Sequence, residues 1–152
     1  STPIIMHLLQ FRSWIDDMHF MLQKEVVERL AASPGSKAYG RLSVVVQYFC
    51  EVERLFDVQP QSFKPAPKVQ SAIVRLRPYA QSPYDETCFE SLQNIVKQAF
   101  SSRRKTLKNN LKNILNAEDF NALSISPSKR AEQLTVEEFV RMSNYRLKAE
   151  KR

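Results

Sequence analysis

Apolar positions in the first half of the chain switch between helical spacing and short runs or strict alternation. Ile4, Ile5, Leu8 and Leu9 recur at helical spacing behind Thr2-Pro3, an N-cap followed by proline at the first helical position, so a short helix runs to about Phe11. Met18-His19-Phe20-Met21-Leu22 is a brief apolar run, the pattern of a strand buried on both faces. Lys24 to Ala32 returns to helical spacing through Val26, Val27, Leu30 and Ala31, and Ser33-Pro34-Gly35-Ser36 predicts a loop. Leu42, Val45, Val46 and Phe49 mark another helix. Glu51 to Val58 reads as a second strand despite its charges. Gln59 to Lys68 holds Pro60, Pro65 and Pro67 and predicts a stiff, extended loop. From Val69 to Arg77 the pattern has a period of two, with Ala72, Val74 and Leu76 on one face, and predicts a third strand.

Around Pro78 to Pro83 the composition shifts, and nothing beyond resembles a strand. Phe89, Leu92, Ile95, Val96, Ala99 and Phe100 form one apolar stripe. Leu107, Leu111, Ile114 and Leu115 form another, and Thr135-Val136-Glu137-Glu138 is a capping box that opens a last helix. The expected architecture is therefore α/β followed by all-α, with one domain over residues 1–80 and a helical one over 81–152.

Composition narrows the chemistry. The 152 residues are 43% hydrophobic, enough to bury a core, and no apolar run approaches the roughly 20 residues that cross a bilayer. Cys50 and Cys88 are isolated and the only histidines are His7 and His19, so a zinc site of ordinary spacing and a disulfide framework are both excluded. That cysteine usage suits a reducing cytoplasm. Gly35 and Gly40 are the only glycines, which excludes a GxGxxG-type cradle for a nucleotide or similar cofactor. Lys and Arg number 23 against 16 Asp and Glu, a net charge of +7, and such a balance suits either a polyanionic partner or simple solubility.

The cations are concentrated. Lys97, Arg103, Arg104, Lys105, Lys108 and Lys112 lie within one stretch that contains no acidic residue. On one continuous helix Lys105, Lys108 and Lys112 would fall within about 60° of each other, beside the Leu107/Leu111/Ile114 stripe. Asn109, Asn110 and Asn113 would add neutral donors and acceptors on the remaining face. Arg103-Arg104-Lys105 would sit at the helix start, where free backbone N–H groups also favour phosphate. A nucleic-acid surface explains this clustering, and a solvated helix face is the simpler alternative. Phe63 also has two readings. It plugs the end of the sheet as a core residue, or it offers its ring to a splayed-out base while Lys64 and Lys68 meet phosphates. The acidic pairs Asp16-Asp17, Glu118-Asp119 and Glu137-Glu138 read as turn or helix-start charges.

Several segments, in order, resemble the ribosomal RNA small-subunit adenine N6-dimethyltransferase (dimethyladenosine transferase) family. They are Ser1-Thr2-Pro3, Phe20-Met21-Leu22-Gln23-Lys24-Glu25-Val26, Ala38-Tyr39-Gly40-Arg41-Leu42-Ser43, Phe63-Lys64-Pro65-Ala66-Pro67-Lys68-Val69 with Ser71-Ala72 and Arg75-Leu76, Arg103-Arg104-Lys105-Thr106 and Arg130-Ala131-Glu132. The resemblance implies the last three strands of a Rossmann-like methyltransferase sheet, the Val69–Arg77 strand lying antiparallel between the other two, followed by a small helical RNA-binding domain. It implies methyl transfer from S-adenosylmethionine to the N6 of two adjacent adenines of small-subunit ribosomal RNA, and a role in ribosome biogenesis. Phe63 would then stack on the flipped adenine, and Arg103, Arg104 and Lys105 would engage the RNA.

In that family a further half precedes the position of Ser1 and carries the Gly-rich cofactor loop, an acidic residue for the ribose and an Asn-Leu-Pro-Tyr-type motif. None of these occurs in this chain. The resemblance therefore implies a target-recognition half, inactive alone, binding no cofactor or metal itself, and prone to self-association through an open sheet edge. The alternative is a non-catalytic nucleic-acid-binding relative, acting in ribosome assembly or mitochondrial transcription.

Overall fold

The alternating segment predicted as the third strand is the centre of the sheet in the computed structural model. The structure describes residues 2–66 and 68–151; Ser1 of the Ser1-Thr2-Pro3 motif and Pro67 of the proline loop lie outside them. Strand β1 (Met18–Gln23) and strand β2 (Cys50–Val58) flank β3 (Ser71–Pro78), and both pair with it antiparallel in the order β1-β3-β2. The register sets Met18 opposite Leu76 and Met21 opposite Ile73 on one side, and Val52 opposite Leu76 and Phe56 opposite Ile73 on the other.

Two compact units share the chain: residues 1–32 with 45–83, and residues 33–44 with 84–152. Residues 33–44, which the linear reading placed in the first domain, thus group with the helices that follow residue 83. Helices α1 (Thr2–Leu9) and α2 (Lys24–Leu30) belong to the first unit, and α3 (Arg41–Phe49) runs across the division between Val44 and Val45.

In the first unit α2 touches all three strands. Val27 and Leu30 are fully buried, as are Ala72, Val74 and Leu76 of β3. The carbonyls of Leu30 and Ala32, left open where α2 ends, both accept from the Gln47 side-chain amide at 2.8 and 2.9 Å. β1 departs from expectation. Its residues alternate, so Met18 is buried while Met21 on the opposite face is 50% exposed beside Ile73 and the 59%-exposed Phe56. The charges of β2 are accommodated at the sheet's edge: Glu53 pairs with Arg75, and Arg54 pairs with both Glu28 and Asp57. The register shifts between Arg54 and Phe56, which breaks the two-residue period there.

The second unit is built on α4 (Phe89–Ala99) and α7 (Val136–Glu150), which pack together, with Leu92, Ile95 and Val96 of the first and Phe139 and Val140 of the second buried. Ser143 on α7 is buried, and its hydroxyl bonds to those of Thr87 and Ser91 at 2.8 and 3.0 Å. Tyr39 is fully buried with its ring edge-on to Phe100, which in turn meets Phe139 at a centroid distance of 5.8 Å. That aromatic chain is one of the contacts that join residues 33–44 to this unit.

One expectation for the second half is corrected. The basic stretch does not continue as one helix: α5 covers only Leu107–Asn110 and the chain turns over residues 111–114. A separate helix, α6 (Ala117–Leu123), follows, opened by a reciprocal capping box between Asn116 and Asp119 at 2.8 and 2.9 Å. α6 ends on Ser124, whose φ of +56° is a left-handed conformation more often given to glycine.

Candidate nucleic-acid interface

The proline-rich loop leaves β2 at Val58 and rejoins the sheet at Ser71, which pair with each other across its base. A tight turn over Pro60–Ser62 begins it, closed by the Phe63 N–H donating to the Pro60 carbonyl at 3.2 Å. Lys24 supports the other end, its N–H donating to the Gln70 carbonyl at 2.9 Å and its ammonium pairing with Asp57 at 3.6 Å. Phe63 is half-buried on extended backbone, and Lys64 and Lys68, which follow it in the loop, are exposed. It is neither a fully buried core plug nor a freely solvated ring. The peptide between Lys64 and Pro65 is cis.

The basic stretch divides into two kinds of residue. Lys97, Arg104, Lys105, Lys108 and Lys112 are exposed, and none forms an ion pair among the described residues. Arg103 differs. Its Nη2 donates to the Glu132 carboxylate at 2.8 Å and to the Lys37 carbonyl at 3.0 Å, and its Nη1 donates to the Tyr39 carbonyl at 2.9 Å. Its guanidinium carbon also lies 6.0 Å from the centre of the Phe100 ring.

The helical wheel drawn for Lys105, Lys108 and Lys112 does not hold, because only Lys108 lies within α5. Arg103-Arg104-Lys105 precedes that helix across a turn, and the backbone donors at its start are already used. The N–H groups of Leu107 and Lys108 donate to the carbonyls of Lys129 and Pro127 at 2.8 and 2.9 Å. The start of α5 therefore presents no free N–H of Leu107 or Lys108 to an anion. Asn110 is also reassigned. It is buried, and its amide donates to the carbonyls of Ala99 and Ser102, so only Asn109 and Asn113 face solvent.

No group of His, Cys, Asp and Glu able to hold a metal occurs among the described residues. The Cys50 thiol is fully buried and pushed up to about 12 by that burial, with the nearby Arg12 charge opposing the shift. Tyr39 is raised for the same reason, helped by Tyr84 and Glu138. An open cleft of about 800 Å³ lies where β2 begins and β3 ends, lined by Arg12, Glu51, Arg77 and Tyr79. That is the opposite end of the sheet from the Phe63 loop, and none of the predicted site residues lines it. No helix among the described residues is long and apolar enough to cross a membrane.

With this geometry in place, comparison with known proteins decides the family. The family model for ribosomal RNA adenine dimethylase matches residues 1–148. The chain belongs to that family. Among similar relatives, "Ribosomal RNA small subunit methyltransferase A" of Legionella pneumophila strain Corby is 59% identical over 145 residues, which is 95% of this chain and 57% of the relative. The protein of that name from Marinomonas sp. strain MWYL1 is 56% identical over 150 residues, 99% of this chain and 56% of the relative. The chain thus spans little more than half the length of these curated relatives.

In structure, the chain is similar to the crystal structure of a dimethyladenosine transferase from Plasmodium falciparum. The TM-score is 0.77 at 28% identity, over 93% of this chain and 61% of that one. It shares its fold with the 23S rRNA methyltransferase ErmE, with a TM-score of 0.64 at 22% identity over 86% of this chain and 55% of that one.

S-adenosylmethionine, the methyl donor implied by the family resemblance, does not fit the residues present. Gly35 is used in a turn at φ +89° with its N–H donating to Glu132, and Gly40 lies against Arg103. Neither follows a strand, so the chain offers no glycine cradle for that ligand.

No local signal marks the partners of Arg103. Glu132 is 29 residues away and Lys37 66, and only folding brings them together.

Proposed function

We propose that this chain is the target-recognition part of a small-subunit rRNA adenine N6,N6-dimethyltransferase. It contributes to ribosome biogenesis in the cytoplasm, with S-adenosylmethionine held by residues outside the chain. Membership of the dimethylase family over residues 1–148 carries the reading. The five exposed cations between residues 97 and 112 that form no ion pair among the described residues support it, because a polyphosphate backbone is bound by charges that no carboxylate already satisfies. The Rossmann-like character of the complete sheet belongs to the same proposal, supported by the likeness in fold to solved methyltransferases.

Within this reading Phe63 receives the face of an adenine drawn out of its stack, and Lys64 and Lys68 meet the flanking phosphates. The half-buried ring on a loop anchored at both ends supports that role, since stacking needs an accessible face held in place. Arg104, Lys105, Lys108 and Lys112 contact RNA phosphates. The methyl acceptor is the adenine N6 itself, and with Gly35 and Gly40 as its only glycines the chain has no Gly-rich cradle for the donor, so alone it binds and does not turn over. In isolation it behaves as the non-catalytic alternative would.

Two titrations test the proposal. In fluorescence anisotropy with a small-subunit rRNA hairpin, the Lys105→Gln/Lys108→Gln chain should show a salt slope shallower by about 1.8, at ~0.9 per phosphate lost. An unchanged slope removes these residues from the interface. Calorimetry with S-adenosylmethionine should give no binding heat with this chain, and saturable binding would refute the division of labour.

A further inference from the structure

We propose that Arg103 is a positioning residue rather than a phosphate ligand. By holding residues 37–40 against the helical unit, it adds Lys37 and Arg41 to the cationic surface around Arg104 and Lys105. The proposal rests on the RNA-binding reading above, and its first test is independent of RNA.

The Arg103 guanidinium is engaged on three acceptors: the Glu132 carboxylate at 2.8 Å and the carbonyls of Tyr39 and Lys37 at 2.9 and 3.0 Å. A phosphate reaching it would have to displace a carboxylate that already neutralises its charge, and would leave two carbonyls without their donor. Arg103 is itself exposed, as are Arg104 and Lys105, but those two have no such partners among the described residues. Consecutive residues of the same charge class therefore do different work.

The residues that Arg103 grips need such a hold. Residues 33–40 contain no helix or strand to order them. Glu132 secures this segment twice: its backbone carbonyl accepts from the Gly35 N–H at 2.6 Å, and its side chain fixes the guanidinium that takes Lys37 and Tyr39. A Cβ added at Gly40 would lie 3.4 Å from Arg103 Nη1, so this backbone runs directly against the guanidinium. Lysine could not replace Arg103, because a single ammonium cannot reproduce the planar fork that spans a carboxylate and two carbonyls.

The consequence lies in what the latched segment carries. Lys37 and Arg41 bracket the gripped carbonyls, are exposed, and form no ion pair among the described residues. The Arg103 contact brings these two cations, more than 60 residues away in sequence, to the arginine-rich turn.

Hydrogen exchange on the free chain is the first test. The amides of residues 36–41 should exchange at least tenfold faster in Arg103→Lys and in Glu132→Gln, with the exchange of α7 unchanged; unchanged protection of 36–41 overturns the latch. The second test uses a small-subunit rRNA hairpin over a salt series. Lys37→Gln/Arg41→Gln should keep the latch but lower the salt slope by about 1.8, at ~0.9 per contact. Arg103→Lys should lower it similarly although no charge is lost. If Arg103 were a phosphate ligand restrained by Glu132, Glu132→Gln would free it and steepen the slope, and that outcome overturns the proposal. If Lys105→Gln/Lys108→Gln also leaves RNA binding unaltered, the RNA reading fails, while the exchange result still decides the latch.

Discussion

Asn110 donates its side-chain amide to the carbonyl of Ala99 at 2.9 Å, satisfying a group at the last residue of α4 that the helix itself leaves open. The same amide reaches the Ser102 carbonyl at 2.8 Å, and the Asn110 backbone carbonyl accepts from Gln98 at 3.1 Å. One buried side chain thus fixes how the chain leaves α4 and enters the basic turn.

Asn110→Ala should therefore destabilise the helical unit by about 1–3 kcal/mol, because it strands buried acceptors. Asn110→Asp should cost more, since a carboxylate would face carbonyl oxygens. Urea unfolding followed by helical circular dichroism checks both. A midpoint equal to that of the parent would show that the amide is dispensable.

Phe63→Ala, placed in a longer family protein that holds the methyl donor, should slow methylation by one to two orders of magnitude, as expected for loss of about 1–3 kcal/mol of base stacking. Affinity for rRNA should change much less, because the cationic contacts remain. Equal losses in rate and affinity would assign the ring to general binding.

Cys50 and Cys88 should separate cleanly under alkylation. Cys88 is exposed and Cys50 buried, so iodoacetamide at pH 8 should modify Cys88 quickly and reach Cys50 only when the sheet opens. Burial holds the folded Cys50 thiol at about 12 against an ordinary value of 9.0. The unfolded chain therefore loses that proton first as pH rises. The resulting stabilisation is complete below 9.0 and declines as pH climbs towards 12. Cys50→Ala should flatten the alkaline fall in stability across that window.

The open face of the sheet, with Met21, Ile73 and Phe56 in one row, should drive association of this chain with itself. Sedimentation over a concentration series should show species larger than a monomer, and Phe56→Lys should shift them towards the monomer. A parent chain that stays monomeric at high concentration would remove this expectation.

The three strands were legible because each carries its signal locally. Ala72, Val74 and Leu76 alternate, and all three are fully buried beneath α2. Met21 was misread, because an apolar residue in a short run looks the same whether or not anything covers it. The basic stretch misled for a related reason: Leu107, Leu111 and Ile114 have helical spacing, yet the chain turns after Asn110. Periodicity reports which residues seek the interior and does not require one unbroken helix. Glu118 and Asp119, which read as turn or helix-start charges, do lie in the first turn of α6, and Asp119 closes its capping box with Asn116.

Local spacing, turn residues and ordered motifs were enough to establish the α/β-then-helical order, the family and the concentration of cations, since each depends on neighbours in the chain. Only the tertiary structure could separate Arg103 from Arg104, or draw residues 33–44 into the helical unit through Tyr39. Those outcomes depend on which carboxylates, carbonyls and rings arrive from distant positions, and hydrogen bonding and burial decide them only once the chain has closed on itself.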